Sequence, residues 1–152
     1  MQNAITKKFE VFDASDYNVA IVRACFNDEI TSKMQDNAIS TLHQYKVSND
    51  NISLFEVPGC VEIPVILKAL AETEDFDAIV ALGCVIRGDT PHFDYVCKMV
   101  SEGVLKVSLD HTLPIGFGIA TVNNLEQAIA REDIGADATV AALQSAKIIL
   151  DL

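Results

Sequence analysis

The stretch AIVALGCVIRGDTPHFDYVC, residues 78–97, constrains this chain more than any other, because it makes a buried strand hand over directly to a helix. Ala78-Ile79-Val80-Ala81-Leu82 is an apolar run without alternation, the pattern of a strand covered on both faces. Beyond Pro91, residues Phe93, Val96, Cys97, Val100 and Val104 recur at helical spacing. The glycine-bounded turn between them holds a guanidinium, a hydroxyl, an imidazole and unpaired backbone N–H groups. Thr90 as N-cap with Pro91 at the first helical position accounts for the helix start. In an open parallel sheet such a turn lies at the carboxyl edge, where the helix dipole and free N–H groups favour anionic ligands.

The remaining chain repeats that hand-over. Asn18–Arg23 reads as the first strand, and Asn27 caps a helix with Ile30, Met34, Ala38, Leu42 and Tyr45 on one face. After the turn signal Asn49-Asp50-Asn51, Ile52–Val57 is a second strand closed by Pro58-Gly59. The next helix carries Ile63, Ile66, Leu67 and Leu70 on one face, with Pro64 in its first turn and Glu62 at its start. Leu113–Ile119 is a further strand, whose Gly116 and Gly118 imply close approach of another chain segment or a ligand. Asn123-Asn124-Leu125-Glu126 resembles a capping box opening a short helix that ends near Arg131. The last helix is expected from about Ala136, with Val140, Leu143, Lys147 and Leu150 along one side.

Alternating strands and helices without internal repeats predict an α/β fold, a three-layer flavodoxin-like parallel sheet with helices on both faces. A chain of 152 residues suits one domain, 1–152, burying about 70% of its unfolded surface. Residues 1–17, with Phe9, Val11 and Phe12 as their apolar group, are expected to be an N-terminal arm or an edge strand against a neighbour.

Charge and composition remove several functions. The formal net charge of -11 opposes attraction to nucleic acid or anionic lipid. No apolar run approaches the ~20 residues of a membrane span, and the start MQNAITKKFE lacks a hydrophobic signal core, so a cytoplasmic protein is expected. Cys25, Cys60, Cys84 and Cys97 form no C-x-x-C pair and read as reduced packing thiols rather than a metal site.

Neither a dinucleotide fingerprint, a P-loop, a serine elbow nor a zinc-binding histidine pair is present. What the topology offers is a row of strand-to-helix turns along one edge: Phe26, Pro58 to Glu62, Arg87 to His92, and Phe117 to Asn123. This suits a phosphorylated small molecule, with the N–H groups of Asp89 and Thr90 and the Thr90 hydroxyl cradling phosphate. The Asp89 carboxylate is expected to turn away. His92 suits proton transfer in carbonyl chemistry, although a structural histidine fits the spacing equally well. Arg87 is either a phosphate ligand or an ion-pair partner.

The segments VPGCVEIP, ALGCVIRGDTPHFDYVC and PIGFGIATVNNLEQAIAR resemble, in order, the signature segments of the lumazine synthases, and the similarity runs from Asn18 to the last helix. The resemblance implies condensation of 5-amino-6-(D-ribitylamino)uracil with 3,4-dihydroxy-2-butanone 4-phosphate, without metal or redox cofactor. It implies that Phe26 stacks on the pyrimidine with Asn27 beside it, that Glu62 holds ribityl hydroxyls, and that Cys60, Val61, Val85 and Ile86 act through their backbones. Asp89 and Thr90 would bind phosphate and His92 would be catalytic. Phe117 and Arg131 would come from the neighbouring subunit of a homopentamer, and pentamers build icosahedral shells in part of the family. Residues Glu132-Asp133-Ile134-Gly135 depart from the family, where a longer loop commonly carries a lysine; weaker phosphate affinity is expected. A flavin or lumazine carrier, a shell protein and an archaeal-type riboflavin synthase are the competing readings.

Overall fold

A computed structural model describes residues 7–152. Four parallel strands, β1 (Val19–Ala24), β2 (Ile52–Val57), β3 (Ala78–Ile86) and β4 (Ile115–Val122), form one sheet in the order β2-β1-β3-β4. β1 is buried along its length because it pairs on both sides, Val19 with Ile52 of β2 and with Ala78 of β3. The long helices are α1 (Asp28–Gln44), α2 (Ile63–Thr73), α3 (His92–His111) and α5 (Ile134–Leu150), with a short α4 (Leu125–Ile129).

Two cores sandwich the sheet. Ile21, Val80 and Leu82 pack with Met34 and Leu42 of α1 and Leu143 of α5 on one face. Val22, Ile79 and Ala81 pack with Leu67 of α2 and Val100 and Val104 of α3 on the other. The predicted three layers are therefore present, and the apolar face read for α1 is the one that is buried.

Several local expectations change. β3 and β4 run to Ile86 and Val122, so Gly83 and Phe117 lie within strands and not in turns. Gly83 is kept without a side chain because a Cβ there would fall on Cys60 Sγ. Gly116 and Gly118 make room for a chain segment: a Cβ on Gly116 would meet the Ala138 carbonyl of α5. α5 starts at Ile134 rather than at Ala136, and Gly135 lies within it, seating α5 on the Met34 carbonyl of α1. The buried stripe of α5 is Gly135, Ala138, Thr139, Ala142, Leu143 and Ala146, not one that includes Lys147 and Leu150.

α4 does open with a reciprocal cap, but its partner is Gln127, not Glu126. Asn124 Oδ1 accepts from the Gln127 N–H at 2.9 Å and Gln127 Oε1 accepts from the Asn123 N–H at 2.8 Å. Residues 7–17 form no strand within this chain, and the rest of the anticipated arm lies outside the described residues. No helix among the described residues is long and apolar enough to cross a membrane.

Candidate active site

The sheet order reverses between β1 and β3, which lie side by side although β2 separates them in sequence. Their carboxyl ends open into a cleft of about 560 Å³, within the size of small-molecule sites. Phe26 and Asn27 enter it from the turn after β1. Cys60, Val61 and Glu62 come from the 3₁₀ turn preceding α2, and Val85 and Ile86 from the end of β3. Thr90 and His92 stand at the start of α3. Three helix starts thus face one space, each with N–H groups that its own helix leaves unpaired.

Asn27 reaches this position by an unexpected route. It precedes α1 in a left-handed conformation, φ 59°, and its side chain caps nothing. Instead Nδ2 donates to the Cys84 carbonyl at 2.9 Å, fastening the turn to β3. Phe26 beside it is 72% exposed, an aromatic ring left open at the cleft mouth. The Glu62 carboxylate is oriented by one oxygen, Oε2, which accepts from the Gly59 N–H at 2.9 Å.

On α3, helical hydrogen bonding starts at His92, one residue after Pro91, and the Thr90 hydroxyl accepts weakly from the His92 N–H at 3.4 Å. His92 is exposed rather than sealed in the core. Arg87 is engaged elsewhere: Nε donates to Asn123 Oδ1 at 3.1 Å, its guanidinium lies 3.4 Å from Asp94, and its plane sits 4.3 Å above the Phe93 ring. The ion-pair reading of Arg87 is therefore the observed one, and it straps the β3 to α3 turn to the end of β4.

The Cys60 thiol is buried and held in its protonated form. Burial, reinforced by Cys84, pushes its thiol up to about 12, and burial also raises Cys84 and Cys97. All four cysteines are free, and no group able to hold a metal ion occurs among the described residues.

Three anticipated residues stay outside the cleft of this single chain. Asp89 is exposed and off its wall; Phe117 lies exposed on edge strand β4, in register with Ala81; Arg131 is exposed on the turn between α4 and α5. The acid next to Arg131 is turned away from solvent: Glu132 pairs with Lys33 of α1 at 3.4 Å and its carbonyl accepts from Asn37 Nδ2 at 3.0 Å. Gly59 and Gly88 fall within the turns that the sequence named, whereas Cys84, Phe93 and Val96 on the cleft wall were missed. The alternation Val80, Leu82, Cys84, Ile86 was the signal that β3 continued, and helical spacing from His92 would have brought Val96 into the site.

A parallel α/β sheet with an open, largely apolar cleft at its switch point, ringed by helix N-termini, is the architecture of a protein that binds small molecules. The 6,7-dimethyl-8-ribityllumazine synthase family model matches residues 16–149. The chain belongs to that family: it is a transferase of riboflavin biosynthesis that condenses 5-amino-6-(D-ribitylamino)uracil with 3,4-dihydroxy-2-butanone 4-phosphate to 6,7-dimethyl-8-ribityllumazine, phosphate and water.

Proposed function

We propose that the cleft binds both substrates side by side and that a neighbouring copy of the chain completes it. Phe26 stacks on the pyrimidine of the diaminouracil, Asn27 lies beside it, and the free oxygen of Glu62 accepts from ribityl hydroxyls. The backbones of Cys60, Val61, Val85 and Ile86 meet the heterocycle. Thr90 takes the phosphate of the butanone at the positive end of α3, with the backbone N–H of Asp89 offered from the rim beside it. The amine condenses with the ketone to an imine, phosphate leaves, the ring closes and water is lost, with His92 moving protons. Holding two reactants together supplies up to ~7 to 11 kcal/mol of such a barrier, and a positioned acid-base about 10²-fold or more.

The observation that carries this reading is the convergence of Phe26, Glu62, Thr90 and His92 on one cleft. Phe117 and Arg131 are off that cleft and exposed, which suits delivery from a neighbour to its stacking and phosphate-binding ends. Tyr95, Met99, Leu105 and Leu109 leave an unpartnered apolar surface on α3, as expected of a helix that packs against other copies. We infer a homopentamer, with an icosahedral shell of pentamers as the alternative assembly. Four unpaired thiols suit a reducing, cytoplasmic setting.

The direct test mixes the protein with the diaminouracil and the butanone phosphate and follows lumazine absorbance and phosphate release. Catalysed formation of both supports the reading; ligand binding without turnover sinks it in favour of a carrier. Mass photometry should find five times the 16.5 kDa chain mass, or a multiple of that value.

A further inference from the structure

The turn that carries Phe26 is braced from the side of the sheet opposite α2 and α3. Arg23, near the end of β1, is buried against α1. One terminal nitrogen donates to Asp28 Oδ1 at 2.6 Å and to Thr31 Oγ1 at 3.1 Å; the other donates to Glu56 Oε1 of β2 at 2.8 Å. Its Nε is buried without a partner. Asp28 lies just beyond Phe26-Asn27. Glu56 lies just before Val57 and Pro58, whose carbonyls accept from the N–H groups of Cys25 at 2.8 Å and Phe26 at 3.0 Å. One guanidinium therefore grips both sides of the turn.

Stability alone gives little reason for such an arrangement. Burial opposes the Arg23 charge, and although the hydrogen bonds to Asp28 and Glu56 outweigh it and hold the guanidinium above its ordinary value, an apolar residue would fill a strand end as well. The turn also contains Asn27 in the left-handed region, which persists only where its surroundings fix it. We infer that Arg23 is a positioning residue for the aromatic end of the cleft. It holds Phe26 and Asn27 in their binding arrangement before the diaminouracil arrives. This rests on the reading that Phe26 stacks on that substrate.

The test measures kcat and the KM of each substrate for Arg23→Met, Arg23→Lys and Glu56→Gln, beside a thermal melt. Loss of the brace should raise the KM of the diaminouracil about tenfold in Arg23→Met while the KM of the butanone phosphate stays within about twofold. Arg23→Lys should not rescue, since an ammonium cannot bridge two carboxylates as a planar fork does. Should Arg23→Met not fold, Glu56→Gln and Asp28→Asn, altered at exposed carboxylates, must give the same split to a smaller degree. Equal changes in both KM values, or a lower Tm with unchanged KM, would overturn the inference. Phe26→Ala separates the two levels: an unchanged diaminouracil KM there overturns the stacking assignment itself, whatever the Arg23 variants do.

Discussion

The side-chain amide of Asn27 donates to the Cys84 carbonyl at 2.9 Å, joining the turn after β1 to the strand beside it at the floor of the cleft. A residue placed where helix caps sit is thus used across the sheet instead, and its left-handed backbone aims it there. Asn27→Ala removes the bond and places a less tolerant side chain in that conformation, so it should cost about 1–3 kcal/mol. Asn27→Gly removes only the bond and should cost less. Urea denaturation of the pair measures the difference, and equal losses would show that the backbone conformation carries no strain.

His92 stands exposed at the start of α3 and on the cleft wall. His92→Gln should lower kcat by about 10²-fold while the two KM values change by less than about threefold, because general acid-base assistance acts mainly in the transition state. Steady-state kinetics with each substrate varied decides it. A rise in KM with kcat intact would make His92 a binding residue.

The two acids after Arg131 differ in placement. Glu132 is drawn to Lys33, whereas Asp133 is exposed on the same turn. Asp133→Asn should therefore lower the KM of the butanone phosphate several-fold, and Glu132→Gln should not. The effect should shrink as salt rises. An unchanged KM at low ionic strength for Asp133→Asn would mean that the turn lies too far from the bound phosphate to matter.

Complementation tests the shared site. Phe26→Ala and Arg131→Ala chains, each with little activity alone, should regain part of it after co-refolding, since some interfaces then pair an intact Phe26 with an intact Arg131. Recovery no greater than the sum of the separate activities would place both residues within one chain's site.

The Cys60 thiol, pushed up to about 12 from 9.0, keeps its proton in the native protein where the unfolded chain releases it. The unfolded state then binds fewer protons, so stability falls as pH rises above about 9 and goes on falling until the native thiol ionises. In Cys60→Ala that alkaline slope should be reduced, even though the variant starts lower because of the cavity. Denaturant midpoints measured from pH 7 to the alkaline limit of the assay test the slope. Parallel curves for the two proteins would assign the alkaline loss to other groups.

Much of this architecture is written locally in the chain. The spacing of Ile30, Met34, Ala38 and Leu42 specifies the buried face of α1, because a helix needs only one stripe to know which way to turn. The turns at Pro58-Gly59 and before Pro91 fall where breakers put them. Strand ends were less legible, since Gly83 reads as punctuation until Cys60, distant in sequence, occupies the space its side chain would need. Likewise α5 buries Ala138 against Gly116 and Gly118 of β4, and Leu143 is the one large side chain on an inner face otherwise made of small residues, so the sequence pattern announces it weakly. Arg23 left no periodic trace at all: its partners Asp28, Thr31 and Glu56 meet it only once β1, α1 and β2 are assembled.

β2 at the margin of the sheet leaves its entrance, Ser48-Asn49-Asp50, exposed at the end remote from the reacting groups. That corner is a natural graft point. A foreign peptide spliced between α1 and β2 would hang from the amino end of the sheet, away from the carboxyl edge that bears the cleft.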